Sequence, residues 1–278
     1  MLQLVSVSLL WAFSFGLTKG LTAGLDGTFV ATARLGLALL VFLPFLRLKG
    51  IALRPAAALA GIGAVQFGLM YLAYNASFQY LPAHEVALGT ITTPILVTLL
   101  ADAFDRTFRL RALLAALLAV AGMGIMVFQP AALTGTVRGF ALVQLSNAAF
   151  AAGQVLYRRV RAWPVLPPER ALFGLLYGGA FALTLAVLLL QGDTSVTLTT
   201  RQLGTLLYLG VVASGLGFFL WNHGATRVNA GTLAVMNNVK IPLAVAVSLL
   251  FFGESANLPR LLLSLAILAA AVWLAEKR

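Results

Sequence analysis

Ten apolar runs, each about as long as a bilayer is thick and parted by short polar gaps, set the limits on what this 278-residue chain can fold into. They fall roughly at 2–20, 27–47, 55–80, 83–102, 109–128, 138–160, 170–191, 202–222, 230–252 and 258–275. A spanning helix needs about 20 apolar residues, and a bilayer offers no water to backbone N–H and C=O groups, so runs of this length become helices. Composition agrees: the chain is 61% hydrophobic and 10% charged, against roughly 25% charged in soluble domains. The expected class is an all-α polytopic membrane protein with no soluble domain. The first run lacks a basic segment before it and a small-residue cleavage site after it, so it reads as a spanning helix rather than a signal peptide.

The net charge of +11 would point to nucleic acid in a soluble chain. Here the basic residues sit in the gaps between spans, thirteen on the side that would hold both termini and four on the other, with Arg34 and Lys240 inside spans. That bias predicts cytoplasmic termini and argues against a nucleic-acid partner. Zero cysteines and two histidines leave no thiol chemistry and no metal site, and no cofactor is expected. All eight acidic residues lie at or near span ends, which leaves no carboxylate pair for acid/base catalysis and none at mid-depth to bind an ion. An enzyme is therefore not expected, and transport without obligatory ion coupling is.

Sliding the chain by 147 residues pairs Gly63 with Gly210, Gly68 with Gly215, Asn75 with Asn222 and Ala83 with Ala230; after a one-residue slip Pro94 meets Pro242. A shift of 137 pairs Gly16 with Gly153 and Phe13 with Phe150. The chain therefore divides into a five-helix unit at 1–128 and a second at 129–278. Five is odd, so the second unit enters the membrane inverted. Inverted repeats are a transporter architecture with the substrate site near the midplane, between the repeats.

Polar and aromatic residues inside the spans are the candidates for that site. Lys240 lies mid-span, just after Asn237 and Asn238 and just before Pro242, where a charge costs about 2.5–3.5 kcal/mol on insertion scales. It either faces an aqueous cavity and meets an anionic substrate group there, or bonds carbonyls freed at Pro242, or snorkels. Arg34, two turns into span 2, is read as snorkelling to the outer surface, with an inward role the alternative. Gln144, Asn147 and Gln154 share one face of span 6, for interhelical bonding or for a cavity. Tyr71, Tyr74, Asn75 and Phe78 share a face of span 3, as Trp11 and Phe15 do in span 1, and aromatic walls with a few fixed polar groups suit a flat amphipathic solute. Trp163 and Trp273 read as interfacial belt residues, with Trp221 a third candidate. The substrate-binding set is thus Trp11, Tyr71, Tyr74, Asn75, Asn147, Asn237 and Lys240. His84 and Glu85 at the outer start of span 4, with the paired Gly68 and Gly215, are the candidate gating residues. Glu85 also has a structural explanation in the helix dipole, and the glycines in close packing.

Short motifs carry a family resemblance: Leu10-Trp11-Ala12-Phe13-Ser14, Ala33-Arg34-Leu35, Tyr74-Asn75-Ala76-Ser77, Tyr80-Leu81-Pro82-Ala83 and Phe252-Gly253-Glu254. Over essentially its whole length the chain resembles the drug/metabolite transporter superfamily, EamA type, and within it the YddG-type bacterial exporters of aromatic and other neutral amino acids. Where that family usually carries Gly-Glu after the fourth span, this chain has Ala103-Phe104-Asp105. The resemblance implies helices 1–4 and 6–9 around a central cavity, helices 5 and 10 at the periphery, alternating access in the bacterial inner membrane, and a small-molecule amino-acid substrate. Another metabolite or drug is the alternative, with a lipid-handling protein or channel behind it. A monomer is compatible with all of these, and the oligomeric state is left open.

Overall fold

A computed structural model describes residues 1–127, 136–164, 166–191, 193, 196–251 and 257–277, with the side chains at 15, 16, 19, 83, 84, 127 and 247–251 outside that description. The expectations on Gln129-Pro130, on Phe252-Gly253-Glu254, and on the side chains of Phe15 and His84 lie outside the described residues. All described regular structure is helical, in a short 3-10 turn, Leu43–Phe45, and ten long segments. They are α1 (Leu2–Thr22), α2 (Gly27–Phe42), α3 (Leu53–Ser77), α4 in two pieces (Ala83–Thr90 and Thr93–Asp105), α5 (Leu110–Val127), α6 (Val137–Arg161), α7 (Glu169–Gln191), α8 (Thr200–Ala225), α9 (Ala230–Phe251) and α10 (Leu258–Glu276). Seven of these segments are apolar over at least 18 residues, and Leu2–Ser14 and Leu110–Met126 are shorter apolar stretches.

Helix ends follow local chemistry. Asp26 caps α2 by accepting from the Phe29 amide, Thr136 caps α6, and Thr199 with Gln202 forms a capping box at α8. Arg106 closes α4 in the left-handed conformation at φ 52°, so that the Thr107 amide reaches back to the Asp102 carbonyl.

Three irregularities that run length did not foretell sit in the middle of the bundle. α3 is π-helical over Ala64–Leu69 and α8 over Tyr208–Leu216. Shifted by 147 residues, the first stretch falls on 211–216, inside the second, so the sequence repeat carries its backbone irregularity with it. The paired Gly68 and Gly215 lie in these stretches. α4, expected as one run, is broken at Ile91–Thr92, because Pro94 cannot donate to the turn before it. Its repeat counterpart Pro242 is accommodated inside α9 without a break in the assigned helix.

α5 and α10 pack on each other, Ser264 Oγ donating to the Gly122 carbonyl at 2.8 Å, and α10 is the least buried of the long helices. The remaining helices enclose the core. The α3–α7 crossing is the tightest: a Cβ at Gly63 would run into the Leu176 carbonyl, and one at Gly179 into that of Ala60.

Candidate functional site

The irregular backbone of α4 and α8 needs hydrogen-bond partners, and the chain supplies them from across the bundle. The Gly89 carbonyl, just before the α4 break, accepts from Gln144 Nε2 at 3.0 Å and Asn147 Nδ2 at 2.9 Å, both on α6. Ile91, in the break, accepts from Asn238 Nδ2 of α9 at 2.9 Å. In the π-helical stretch of α8, the Ala213 carbonyl accepts from Trp11 Nε1 at 2.9 Å, and those of Ser214 and Gly215 accept from the Tyr177 hydroxyl at 2.8 and 2.7 Å. Trp11 and Asn147 therefore pin irregular backbone as well as presenting surface.

Between these pinned segments lies a cavity of about 100 Å³ lined by α1, α2, α3, α4, α6, α8 and α9. One wall is aromatic: Phe218 lies 5.2 Å from Trp11, 5.8 Å from Tyr71 and 5.8 Å from Phe150 between ring centroids. Tyr74 and Met70 extend it, and Ser14, Thr18, Thr90, Thr93, Ser146 and Asn147 supply polar edges. Two cations face the same space, Lys240 and Arg34, and none of the described lining residues is acidic. Lys240 Nζ stands 5.8 Å from the centre of the Trp11 ring, and the Arg34 guanidinium carbon 4.3 Å from that of Tyr71. Pockets for drug-sized ligands run to about 300–1,000 Å³. A solute of that size therefore enters only when the surrounding helices separate.

Of the substrate-binding residues expected from sequence, Trp11, Tyr71, Tyr74, Asn147 and Lys240 line this cavity. Asn75 and Asn237 are not among its lining residues. Asn75 Nδ2 donates to the Gly27 carbonyl at 2.7 Å, tying α3 to the start of α2. Asn237 Nδ2 donates to the Leu233 carbonyl and to Gln154 Oε1, which also accepts from Trp221 Nε1 at 2.9 Å, a buried polar knot. Trp221 is thus no belt residue; it is wholly buried and packs on Trp11.

Arg34 is the larger correction. It does not snorkel: it is 3% exposed and lines the cavity. Phe218 and Phe150 were also missed, although each is a repeat mate of an aromatic residue, of Tyr71 at a shift of 147 and of Phe13 at 137. Glu85 is wholly buried in the first turn of α4.

Ion pairs among the described residues gather at the bundle end that holds the N-terminus. Asp105 pairs with Arg109 and, across the two halves, with Arg159 at 2.7 Å; Glu169 pairs with His223 and with Arg161 at 3.6 Å.

The EamA-like transporter family matches residues 1–128 and 137–275. A "Probable biotin transporter" from Pseudomonas aeruginosa is 44% identical over 277 residues, covering 98% of this chain and 96% of that protein. A "Biotin transporter" from Escherichia coli (strain K12) is 39% identical over 280 residues, covering 100% of this chain and 93% of that protein. A solved crystal structure of 18% identity superposes with a TM-score of 0.78 over 99% of this chain and 96% of that one, a likeness of fold. A multi-pass helical bundle, a repeat with matched irregularities and a near-full-length family match converge: this chain belongs to the EamA-like transporter family, a family of membrane transporters and not of enzymes.

Proposed function

We propose that this protein carries biotin, or a solute with biotin's chemistry, across the bacterial inner membrane by alternating access, without cofactor and with both termini in the cytoplasm. The observation that carries the reading is the pairing of two cations with an aromatic wall in one central cavity whose described lining holds no carboxylate. Biotin is a monocarboxylate whose uncharged ureido ring is fused to an apolar thiolane. Its acid group suits Lys240 and Arg34, its apolar ring edge suits the wall formed by Trp11, Phe150 and Phe218, and its ureido N–H and C=O groups find hydroxyl and amide partners in Thr93, Ser146 and Asn147. The names of the two relatives support the same solute.

The neutral and aromatic amino acids expected from the sequence resemblance fit the wall, but their ammonium group would meet two cations in a lining without an acidic counterweight. Within the reading, the two units meet near residue 128, and the π-helical stretches around Gly68 and Gly215 and the outer start of α4 at His84 and Glu85 are the moving parts. Titration of the purified protein with biotin, phenylalanine and threonine tests the substrate. Saturable binding of biotin with no binding of either amino acid is expected; binding of the amino acids alone would reassign it.

A further inference from the structure

Arg34 holds a full charge where the protein gives it no counter-ion among the described residues. Its Nη1 donates to Thr18 Oγ1 at 3.1 Å, its Nε to Ser214 Oγ at 3.2 Å and its Nη2 to the Tyr71 hydroxyl at 2.5 Å. Tyr71 and Ser214 are in turn 3.0 Å apart. All three partners are neutral hydroxyls, from α1, α8 and α3. Three bonds leave part of a five-donor fork unused, and neutral partners leave the charge of a buried guanidinium uncompensated. A buried charge of this kind inside a membrane protein is costly and calls for an anion.

Depth adds a second constraint. Arg34 lies seven residues into α2 from the end that carries Asp26, about 10 Å along the axis, whereas Lys240 lies ten residues into α9 from the opposite end, about 15 Å. The two cations therefore approach one cavity from opposite ends of the bundle, Arg34 against Tyr71 and Lys240 against Trp11, with Phe218 touching both rings. Arg34 is clamped by three helices; Lys240 reaches in on a flexible four-carbon stem.

We propose that Arg34 is a second carboxylate-reading group of this site, a fixed guanidinium fork that contacts the substrate's acid group from the Asp26 side while Lys240 contacts the same group from the other. This assignment rests on the reading of the cavity as the site of a biotin-type monocarboxylate. Selectivity for an acid over an otherwise identical neutral molecule is then shared between two residues. A single loss leaves half of it, and only the double loss abolishes it.

The test compares biotin with biotinol, its alcohol, as competing ligands of purified wild-type protein, Arg34→Gln, Lys240→Met and the double variant. Each charged contact is expected to carry a preference of about ten-fold. The wild type should thus favour biotin by about a hundred-fold, each single variant by about ten-fold, and the double variant not at all. A general packing defect would weaken both ligands alike and leave the ratio intact. Should Arg34→Gln not yield a monodisperse protein, Arg34→Met answers the same question, and failure of both to fold overturns the proposal in favour of a structural brace. A full wild-type preference in Arg34→Gln also overturns it and leaves the biotin reading standing. A wild type that binds neither ligand removes both.

Discussion

Asn147 of α6 and Gly89 of α4, 58 residues apart in sequence, are joined by a 2.9 Å hydrogen bond from the amide side chain to a carbonyl next to a broken helix. Because Gln144 donates to the same carbonyl at 3.0 Å, the bond is duplicated. The Ile91 carbonyl beside it accepts from Asn238, the one side-chain donor it has among the described residues.

That difference sets a stability order. Loss of the sole side-chain partner of a buried carbonyl costs about 1–3 kcal/mol, and less where a second donor remains. Asn238→Ala should therefore lower the thermal midpoint in detergent clearly more than Asn147→Ala. Equal losses would mean that the amides act through packing alone.

Glycine packing gives a sharper contrast within one helix. Gly63→Ala would drive a methyl into the Leu176 backbone, which cannot swing aside, and should abolish recovery of folded protein. Gly61→Ala, two residues earlier, meets nothing within 4 Å and should be neutral or stabilise by about 0.5–1 kcal/mol through helix propensity. Size-exclusion profiles of the two variants decide the matter; a normal Gly63→Ala profile would mean that α3 and α7 do not cross this closely.

Tyr71→Phe tests the clamp on Arg34. The ring and its contacts stay while the hydroxyl that meets both Arg34 and Ser214 is lost. The protein should fold, with a cost of about 1–3 kcal/mol for unsatisfied donors, and biotin binding should weaken several-fold. Unchanged biotin affinity with that stability loss would detach the clamp from the site.

Much of this was legible in the chain, for identifiable reasons. Run length finds spanning helices because the bilayer admits little else, and Pro94 marks where α4 breaks. What single-helix reasoning lacks is the neighbour. Helical spacing puts Asn75 on the same face as Tyr71, but only the approach of α2 turns it to the Gly27 carbonyl instead of the cavity. Depth alone lets Arg34 snorkel; three hydroxyls from three other helices hold it inward. Lys240 and Trp11 were found because each is conspicuous on its own helix.

The absence of acidic side chains from the described cavity lining bears on energetics. Proton and sodium coupling need a site that titrates or coordinates in step with the substrate. Biotin movement in vesicles should therefore follow its own gradient, and an imposed proton or sodium gradient alone should drive no accumulation. Concentrative uptake under such a gradient would contradict this and direct attention to His84 and Glu85.

Counterflow in liposomes bears most directly on the central claim, that the Lys240–Arg34 cavity translocates a biotin-type carboxylate. Vesicles holding purified protein and loaded with unlabelled biotin should transiently accumulate labelled biotin from outside, while vesicles with Lys240→Met, folded by size exclusion, should lose most of that signal. Full counterflow in Lys240→Met, or wild-type counterflow of an amino acid with none of biotin, would contradict it.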